Sequence, residues 1–392
     1  MKYLLFVLPL FYAPALFSQS QPSTKKIKIA VLCPLYLDSA FNNYTYLLGN
    51  KNMPQYILTG LDFYNGVMLA IDSLNKENTN AEVWIYDTKK AATNISSILQ
   101  SMKWLNFSLI IASLTNSTEQ KAVSDFSFAN NIPVVSVTYP NDAGVIANPF
   151  FVLLNSTLQT HVAAIYRFVE QNFYYNKPLF ITKSGASEKK ILSDFRANDT
   201  IIKNHFAYRV LELNTISFDK IKPYLDSTKQ NVIVCGSLNS DFAADLVTAL
   251  GTASKYKTTI IGMPNWDGVR KIFNNNFSNV DIVYSTPFYY SPTDSLVQTI
   301  TADYRTKFFG RPSDMVFKGF EAMYHYTHLL IADSSAFLCH ASDTSYPVTN
   351  RFFIQPVMQT TQSLLPDYLE NKNLYFIKKN SGSVVAVQQL RK

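Results

Sequence analysis

The sequence predicts an α/β protein with two doubly wound lobes, each built on a mostly parallel sheet. Three observations predict this class. From residue 25 onward, short apolar runs alternate with amphipathic stretches, as expected of strand–helix–strand units. Apolar runs such as Ile27–Cys33 are nearly continuous, which is typical of strands covered on both faces. The 392 residues, 47% of them hydrophobic, suit two domains of about 100–200 residues each.

Residues 1–20 have the pattern of a secretory signal peptide. Lys2 gives a basic start, an apolar run follows, and Ser18 and Ser20 provide small residues at a cleavage site. Two prolines and the short length argue against a membrane span, which needs about 20 apolar residues. Cys33 lies too far along the chain to carry a lipid. We therefore expect a cleaved signal peptide, no lipid anchor and a periplasmic or secreted protein.

The first series of predicted elements ends at residue 137, after four strands. The helix over residues 60–75 is marked by apolar residues at helical spacing. The irregular, aromatic stretch over 36–58 is expected either to pack on its own lobe or to cover a cleft. In order, the elements are strand Ile27–Cys33, helix 60–75, strand 83–86, helix 93–105, strand 108–112, a helix to residue 130 and strand 132–137.

A second series follows, with the same alternation. It comprises an apolar run at 150–154, a helix from 158, a strand ending at 182, helix 187–197, strand 208–213, helix 218–228, strand 231–236, helix 241–250 and strand 258–262. Strand 281–286 and helices 293–309 and 313–332 come next. Residues 333–371 are predicted to be loop-like, and a hairpin turning at 380–382 ends the chain.

Composition and motifs exclude several function classes. The net charge is +7, but no basic block or aromatic–basic pattern indicates a nucleic-acid partner. Cys33 and Cys235 lie in separate apolar strands and are expected to be buried thiols. No catalytic or phosphate-binding motif occurs, so we expect no enzyme, no catalytic residue and no cofactor. Glu321, His325 and His328 share a helical face, but this is ordinary for a long aromatic helix, and no metal is expected.

Ligands of open α/β sheets bind outside the carboxyl ends of the strands. Two facing lobes would therefore hold a ligand between the loops that follow their strands. This rule predicts nine ligand-binding residues, namely Tyr36, Asn116, Ser117, Thr138, Tyr139 and Asn141 in the first lobe and Ser184, Asn239 and Trp266 in the second.

Two of these predictions have competing structural explanations. Asn116 and Ser117 precede a helix, where free N–H groups suit a ligand carboxylate, but they also suit simple capping of that helix. Trp266 lies in a Pro-Asn-Trp-Asp-Gly turn and is expected either to contact a ligand or to pack at a hinge.

The order and motifs of these elements resemble the type I periplasmic binding proteins, especially the branched-chain amino-acid receptors of ABC transporters. Residues 60–75 follow the pattern G-x5-G-x2-LA-x3-LN of that family's first helix. Asp87 ends the second strand as in the family, residues 113–117 form a Ser/Thr-rich turn, and residues 132–137 match the fourth strand. The resemblance covers about residues 25–332.

The resemblance implies two lobes joined by a hinge of three crossovers, near residues 147–154, 263–280 and 333–350. The first lobe then comprises residues 25–147 and 281–332. The second comprises residues 154–262 and about 350–392. The resemblance also implies an exported solute-binding protein that captures a small polar molecule by hinge closure and delivers it to a membrane permease. The alternative is a cell-envelope interaction or regulatory protein that keeps the fold without transport.

The sequence departs from the amino-acid receptors at two places. Pro140 stands where a ligand-gripping hydroxyl is expected, and residues 183–186 replace an aromatic residue of the second lobe. These departures argue against an α-amino acid. Since the surface is mildly basic, the ligand class stays open, with anionic and amino-acid-like molecules both among the candidates.

Overall fold

The computed structural model contains, among the residues it describes, two seven-stranded sheets and one two-stranded ribbon. The expected signal peptide lies outside these residues. Among them, no helix combines the length and hydropathy that a membrane span requires. The structure describes residues 26–42, 44–49, 52–91, 93–201, 206–273, 277–333, 337–346, 348–358, 364–380 and 383–389.

The first part of the chain supplies five strands of one sheet. Its elements are β1 (Ile27–Cys33), α1 (Leu37–Ala40), β2 (Phe41–Asn42), β3 (Thr45–Tyr46), α2 (Gln55–Lys76), β4 (Ala81–Asp87), α3 (Ile95–Met102), β5 (Leu109–Ala112), α4 (Ser117–Asn130), β6 (Val134–Ser136) and β7 (Phe151–Leu153).

The remaining elements build the second sheet and complete the first. They are α5 (Leu158–Phe173), β8 (Leu179–Thr182), α6 (Ala186–Ile201), β9 (Arg209–Glu212), α7 (Phe218–Ile221), β10 (Asn231–Gly236), α8 (Ser240–Gly251), β11 (Thr258–Gly262), α9 (Arg270–Phe273), β12 (Val280–Thr286), α10 (Ser295–Phe308), α11 (Asp314–Ala332), β13 (Ile354–Val357), β14 (Tyr368–Asn371), β15 (Tyr375–Asn380) and β16 (Ser383–Gln389).

Both sheets are doubly wound, as the sequence predicts. The first has the strand order β13-β14-β7-β6-β5-β1-β4, and the second has the order β16-β15-β12-β11-β10-β8-β9. Neighbouring strands are parallel except at the added edges, where β13–β14, β12–β15 and β15–β16 are antiparallel. The winding direction reverses between β1 and β5 in the first sheet and between β8 and β10 in the second. These two switch points are where such sheets hold ligands.

The predicted lobe boundaries need two corrections. Strand β12 was expected in the first lobe, but it pairs in parallel with β11 in the second sheet, because residues 263–279 form an ordinary strand–helix–strand connection. Strands β13 and β14 were expected in the second lobe, but β14 pairs in parallel with β7 and extends the first sheet.

The three crossovers move accordingly. The chain passes between the sheets after β7, after β12 and after β14, that is, at residues 154–157, 287–294 and 372–374. The expected crossovers at 263–280 and 333–350 are wrong. The first of these segments stays with the second sheet, and the second packs Phe337 and Ala341 into the core of the first lobe.

A buried asparagine ties two of the crossovers to the first sheet. The Oδ1 atom of Asn371 accepts hydrogen bonds from the backbone N–H groups of Phe353 and Asn373 at 3.0 and 3.1 Å. Its Nδ2 atom donates to the Leu154 carbonyl at 3.3 Å, and its own carbonyl accepts from the Ser156 hydroxyl at 2.6 Å. Asn371 is fully buried. Each of these backbone groups would cost about 1–3 kcal/mol if left unpaired.

Glu321 of α11 connects the first lobe to the remaining crossover. Its carboxylate accepts from the backbone N–H and the side-chain Nδ2 of Asn350 at 2.8 and 2.9 Å, and from the hydroxyl of Tyr290 at 3.1 Å. The Oδ1 atom of Asn350 in turn accepts from the N–H of Tyr289 at 2.8 Å. Burial raises the pKa of Glu321 to about 7, although its hydrogen bonds partly offset this effect.

Helices α2 and α11 approach each other closely on one face of the first sheet. A Cβ atom added to Gly66 would lie 1.9 Å from the Val316 carbonyl oxygen, and one added to Gly319 would lie 2.2 Å from that of Phe63. Both obstacles are backbone atoms, which cannot rotate away. Glycine at these positions therefore permits the close packing that buries the apolar faces of both helices.

We predict that Gly319→Ala destabilises the protein by about 1–3 kcal/mol or more, because the added methyl overpacks this helix pair. Chemical denaturation followed by circular dichroism measures the change. Gly268→Ala is the matched control, since a Cβ there meets nothing within 4 Å. Equal unfolding midpoints for the two variants would contradict the packing argument.

We predict a pH-dependent stability difference between the wild type and Glu321→Gln. Because the folded-state pKa of Glu321 is raised to about 7, this carboxyl contributes its full stability below about pH 4.5 and loses it as the pH rises through 7. The loss of stability amounts to about 3 kcal/mol in the wild type. The neutral amide of Glu321→Gln does not titrate, so the variant does not undergo this loss.

Thermal unfolding of both proteins between pH 4 and pH 8 tests this prediction. The wild-type midpoint should fall relative to that of Glu321→Gln as the pH rises. Other titrating groups, such as the buried His161, are present in both proteins and cancel. The exposed carboxyl variant Glu212→Gln should show no such trend, and a flat difference for Glu321→Gln would refute the assignment.

Candidate functional site

The loops at the two switch points carry most of the predicted site residues. In the first lobe, Tyr36 follows β1, Asn116 and Ser117 follow β5, and Thr138, Tyr139 and Asn141 follow β6. In the second lobe, Ser184 follows β8 and Asn239 follows β10. Each set shares one carboxyl edge because the strands are parallel and adjacent.

Tyr36 is held at the rim by its backbone. It adopts a left-handed conformation with φ of 53°, and its N–H donates to Asp87 Oδ1 at 3.2 Å. Its half-buried ring meets the ring of Tyr56 edge to face, with centroids 4.9 Å apart. One tyrosine is thus positioned at the switch point of the first lobe with part of its surface accessible.

Asn116 caps α4, as one of the two explanations predicted. Its Oδ1 atom accepts from the N–H of Glu119 at 2.9 Å. The Glu119 carboxylate lies over the same turn, accepting from the N–H and the hydroxyl of Thr115 at 3.2 and 3.1 Å and pairing with the Lys89 ammonium. Capping is therefore confirmed, whereas ligand contact by Asn116 and Ser117 stays a prediction.

The loop after β6 is fixed by hydrogen bonds to its neighbours. The Thr138 hydroxyl lies 3.3 Å from that of Ser113, and it donates to the Leu114 carbonyl at 3.1 Å. Asn141 Oδ1 accepts from the N–H of Ala143 at 2.7 Å. Tyr139 is half-buried and packs against the core of the first lobe. The structure therefore brings Thr138 together with the turn after β5.

In the second lobe, Ser184 and Asn239 are both exposed but are separately anchored. The hydroxyl of Ser184 donates to Asn214 Oδ1, in the loop after β9. Asn239 Oδ1 accepts from the N–H of Phe242 at 2.8 Å and so caps α8, while its own N–H donates to Ser237 Oγ at 3.1 Å. Ser237 in turn donates to Glu188 of α6 at 2.8 Å.

Trp266 does not face a cleft. Its side chain is fully buried in the core of the second lobe and packs over Gly262, where an added Cβ would lie 2.1 Å from the indole ring. The expectation that Trp266 contacts a ligand is therefore corrected. The prediction rested on the position of Trp266 in a polar turn after a strand. Exposed cleft residues occupy such turns, but so does this buried ring.

A cavity of about 910 Å³ lies between the two lobes, beside the hinge. The first lobe contributes Asn141, Asp142 and Tyr368 to its lining, and the second contributes Thr160, Ser187 and Leu238. Of the nine predicted site residues, all of them described by the structure, Asn141 is the one that lines this cavity. Leu238 and Ser187 are close in sequence to two others, Asn239 and Ser184.

The sequence analysis missed the hinge side of this cavity. Lys372 and Glu370 line it and pair at 2.5 Å, and the Lys372 ammonium also donates to the Thr160 hydroxyl at 2.8 Å. Glu370 Oε1 further accepts from the N–H and hydroxyl of Thr157 at 2.7 and 2.9 Å. Glu370 lies in the short strand β14 and Lys372 directly follows it, and no local pattern marks either residue as functional.

The described titratable groups show no arrangement for metal binding. No group of three His, Cys, Asp or Glu side chains in this part of the chain is placed to hold a metal ion. His328 pairs with Glu77 at 2.9 Å, and His325 Nδ1 lies 3.3 Å from the Tyr346 carbonyl. Cys33 and Cys235 are buried free thiols, as expected, and burial raises the pKa of both.

Comparison with known proteins finds similarity in structure but not in sequence. No protein-family model matches the chain, and no curated protein sequence matches it. A branched-chain amino-acid transporter substrate-binding protein, LivJ from Streptococcus pneumoniae in complex with isoleucine, superimposes with a TM-score of 0.54 at 15% identity. That alignment covers 94% of this chain and 100% of the other.

Two further solved structures show the same likeness. A putative branched-chain amino-acid ABC transporter from Rhodospirillum rubrum has a TM-score of 0.67 at 12% identity, covering 92% of this chain and 99% of that one. A solute-binding protein from R. palustris in complex with benzoate has a TM-score of 0.53 at 11% identity, covering 93% and 96%. With these matches over nearly its whole length, the chain has the fold of the type I periplasmic binding proteins.

Proposed function

We propose that this chain is an exported solute-binding protein that captures a small polar molecule between its lobes. The observation that carries the proposal is the cavity of about 910 Å³, to which both lobes contribute side chains. Ligand pockets typically occupy about 300–1,000 Å³ and lie preferentially at domain interfaces. The proposal also has the support of the fold, which is shared with substrate-binding proteins of ABC transporters.

Capture would proceed by closure of the lobes about the three crossovers. A molecule that touches Asn141 on one side and Leu238 or Ser187 on the other stabilises the closed form. Shifting the protein from mostly open to mostly closed requires about 5.5 kcal/mol of differential affinity. We propose that the residues at the strand ends, namely Tyr36, Asn116, Ser117, Thr138, Tyr139, Ser184 and Asn239, border the same cleft.

The other parts of the proposal follow from the class of protein. We propose that the segment over residues 1–20 directs export, that the chain is not an enzyme, and that an ABC-type importer receives the ligand.

A second candidate function has one observation in its favour. Large apolar side chains between Tyr36 and Tyr56 are exposed, including Phe41 at 42%, Tyr44 at 101% and Leu47 at 52%. Exposed apolar clusters often mark protein contacts. A cell-envelope interaction protein would use such a surface and would need no small molecule.

We predict that Ala163→Trp abolishes ligand capture. Ala163 is a half-buried residue of α5 that lines the cavity, so an indole ring there occupies the space of the ligand. A metabolite fraction whose ligand is present at a hundred times its Kd should stabilise the wild type by about 2.7 kcal/mol, and this stabilisation should disappear in the variant.

The measurement combines thermal unfolding with small-angle X-ray scattering, using fractionated periplasmic metabolite extracts. An active fraction should raise the midpoint and reduce the radius of gyration. Gln171→Trp, on an exposed part of the same helix, should behave as the wild type. If no fraction affects the wild type while an envelope protein co-purifies with it, the solute-binding proposal fails and the second candidate gains.

A further inference from the structure

The second sheet carries a row of cations along its amino edge, where its parallel strands begin. At each of β8, β9, β10 and β11, the first residue of the strand or one of the three residues before it is lysine or arginine. No aspartate or glutamate occurs at these positions. We call this set the basic edge. All of its members are exposed, and they are Lys177, Arg209, Lys229, Lys255 and Lys257.

The first sheet differs at its own amino edge. The corresponding positions of β4, β5, β6 and β7 hold at least one asparagine each and no charged residue. At β1, Lys26 is paired with Glu82 at 3.2 Å. Helices in both sheets end at this edge, and the C-terminal end of a helix carries about half a negative charge. Neutralisation of helix ends therefore does not explain why the second lobe collects cations here and these four strands of the first do not.

The basic edge forms a row because its four strands are neighbours in parallel register. They lie side by side in the order β9, β8, β10, β11. Leu179 pairs with Arg209 on one side and with Ile233 on the other, and Asn231 pairs with Thr258. Since neighbouring strands lie about 4.8 Å apart, the row extends over about 14 Å.

The loops that carry these cations are fixed to one another by Asn231, which is 8% exposed. Its Nδ2 atom donates to the carbonyls of Asp226 and Lys257 at 2.9 and 3.0 Å, and its Oδ1 atom accepts from the N–H of Asp226 at 2.8 Å. Asn176 Nδ2 donates to the Gln230 carbonyl at 3.1 Å, which joins the loop before β8 to the loop before β10. The backbone of the row is thus held in place before any partner arrives.

The charge of the basic edge is largely uncompensated. Among the described residues, none of its five cations forms a salt bridge. Asp226 contributes one negative charge near Lys229, and its carboxylate accepts from the amide and the hydroxyl of Thr228 at 2.8 and 2.7 Å. The guanidinium of Arg209 is oriented by Tyr224, since it donates to the Tyr224 carbonyl at 3.0 Å and lies 5.0 Å from the centroid of that ring.

Exposed tyrosines and a small cavity accompany these cations. The cavity, of about 400 Å³, is lined by Lys177, Arg209, Lys229 and Tyr175 among others. Tyr175 is 90% exposed and Tyr174 is 37% exposed, and their rings meet edge to face with centroids 5.0 Å apart. Tyrosine has an apolar ring with a polar tip and is enriched where membranes meet water.

We infer that the basic edge docks the protein on an anionic phospholipid surface. Lipid phosphates lie along the row of cations, and Tyr174 and Tyr175 sit at the level of the headgroups. The charges are complementary, because a membrane presents its phosphates in a plane and the cations stand along one edge of a sheet. The tyrosines favour a membrane over a soluble polyanion. Docking through the amino edge leaves the carboxyl edge of the same sheet free, and it does not depend on what the cleft binds.

Co-sedimentation of the full-length chain with lipid vesicles tests this inference. Vesicles of phosphatidylglycerol mixed with phosphatidylcholine should bind the wild type saturably, and vesicles of phosphatidylcholine alone should bind it at least about tenfold more weakly. Raising the salt from about 0.15 M to about 1 M shortens the Debye length from about 8 Å to about 3 Å and should release the protein. An apolar leader segment would bind both kinds of vesicle, so the difference between them reports the charge.

The deciding variant combines Lys177→Glu with Lys229→Glu, which lowers the net charge from +7 to +3 because each substitution changes it by two. Since each basic residue at an anionic membrane changes partition about fivefold, the partition coefficient should fall about a hundredfold or more. The matched control combines Lys103→Glu with Arg311→Glu, at exposed positions of the first lobe, and has the same net charge. Charges farther than about 8 Å from the membrane are screened, so the control should bind nearly as well as the wild type.

Equal losses in the two double variants would show that net charge alone governs binding, and would overturn the inference. The same holds if the wild type does not prefer anionic vesicles, or if it binds soluble polyphosphate but not vesicles. The thermal unfolding midpoints of both variants should match that of the wild type, because the substituted side chains are exposed. If the deciding variant does not fold, Lys255→Glu with Lys257→Glu replaces it under the same criteria. No cleft ligand enters the experiment, so its outcome is separate from that of the solute-binding proposal.

Discussion

The alignment of the two lobes depends on a set of buried polar side chains at the crossovers. Asn371, Asn350, Glu321 and Glu370 are each at most 1% exposed. Asn371, Asn350 and Glu370 bond to the backbone of a crossover, and Glu321 holds Asn350 in place. Their partners are up to 217 residues away in sequence. Apolar side chains would bury as much surface there without fixing how the segments are aligned, because hydrophobic contact has no direction. Hydrogen bonds have direction, so they set how the crossover segments are arranged.

That arrangement explains how a cleft persists between two well-packed bodies. Each lobe has its own core, and the crossovers join the two lobes beside the cavity. The loops at those edges are in turn stiffened from within, since Asp87, Glu119 and Glu188 bond to neighbouring loops and helix ends. The carboxylates that stabilise the rim also contribute negative charge there.

Most of the strands and helices could be predicted from the sequence, but the position of the hinge largely could not. Runs such as 232–235 are apolar at every position and could be assigned to covered parallel strands without a structure. Strand β12 was recognised too, but its sheet was not, because an apolar run carries no mark of its pairing partner. Strands β13 and β14 were not predicted because they are short, partly polar and stabilised by hydrogen bonds to residues distant in the sequence. Trp266 was assigned to the cleft for a different reason. The sequence of a turn does not reveal whether its aromatic ring points into a core, as this one does.

Native-state hydrogen exchange of the crossover amides tests the central claim most directly. The N–H groups of Thr157, Tyr289 and Asn373, one from each crossover, donate to the buried side chains described above. If these side chains fix the crossovers, the three amides exchange only through large-scale unfolding and are as protected as those of the central strand β5. Exchange as fast as that of the exposed β2–β3 ribbon would show that the crossovers open independently, and would contradict the account.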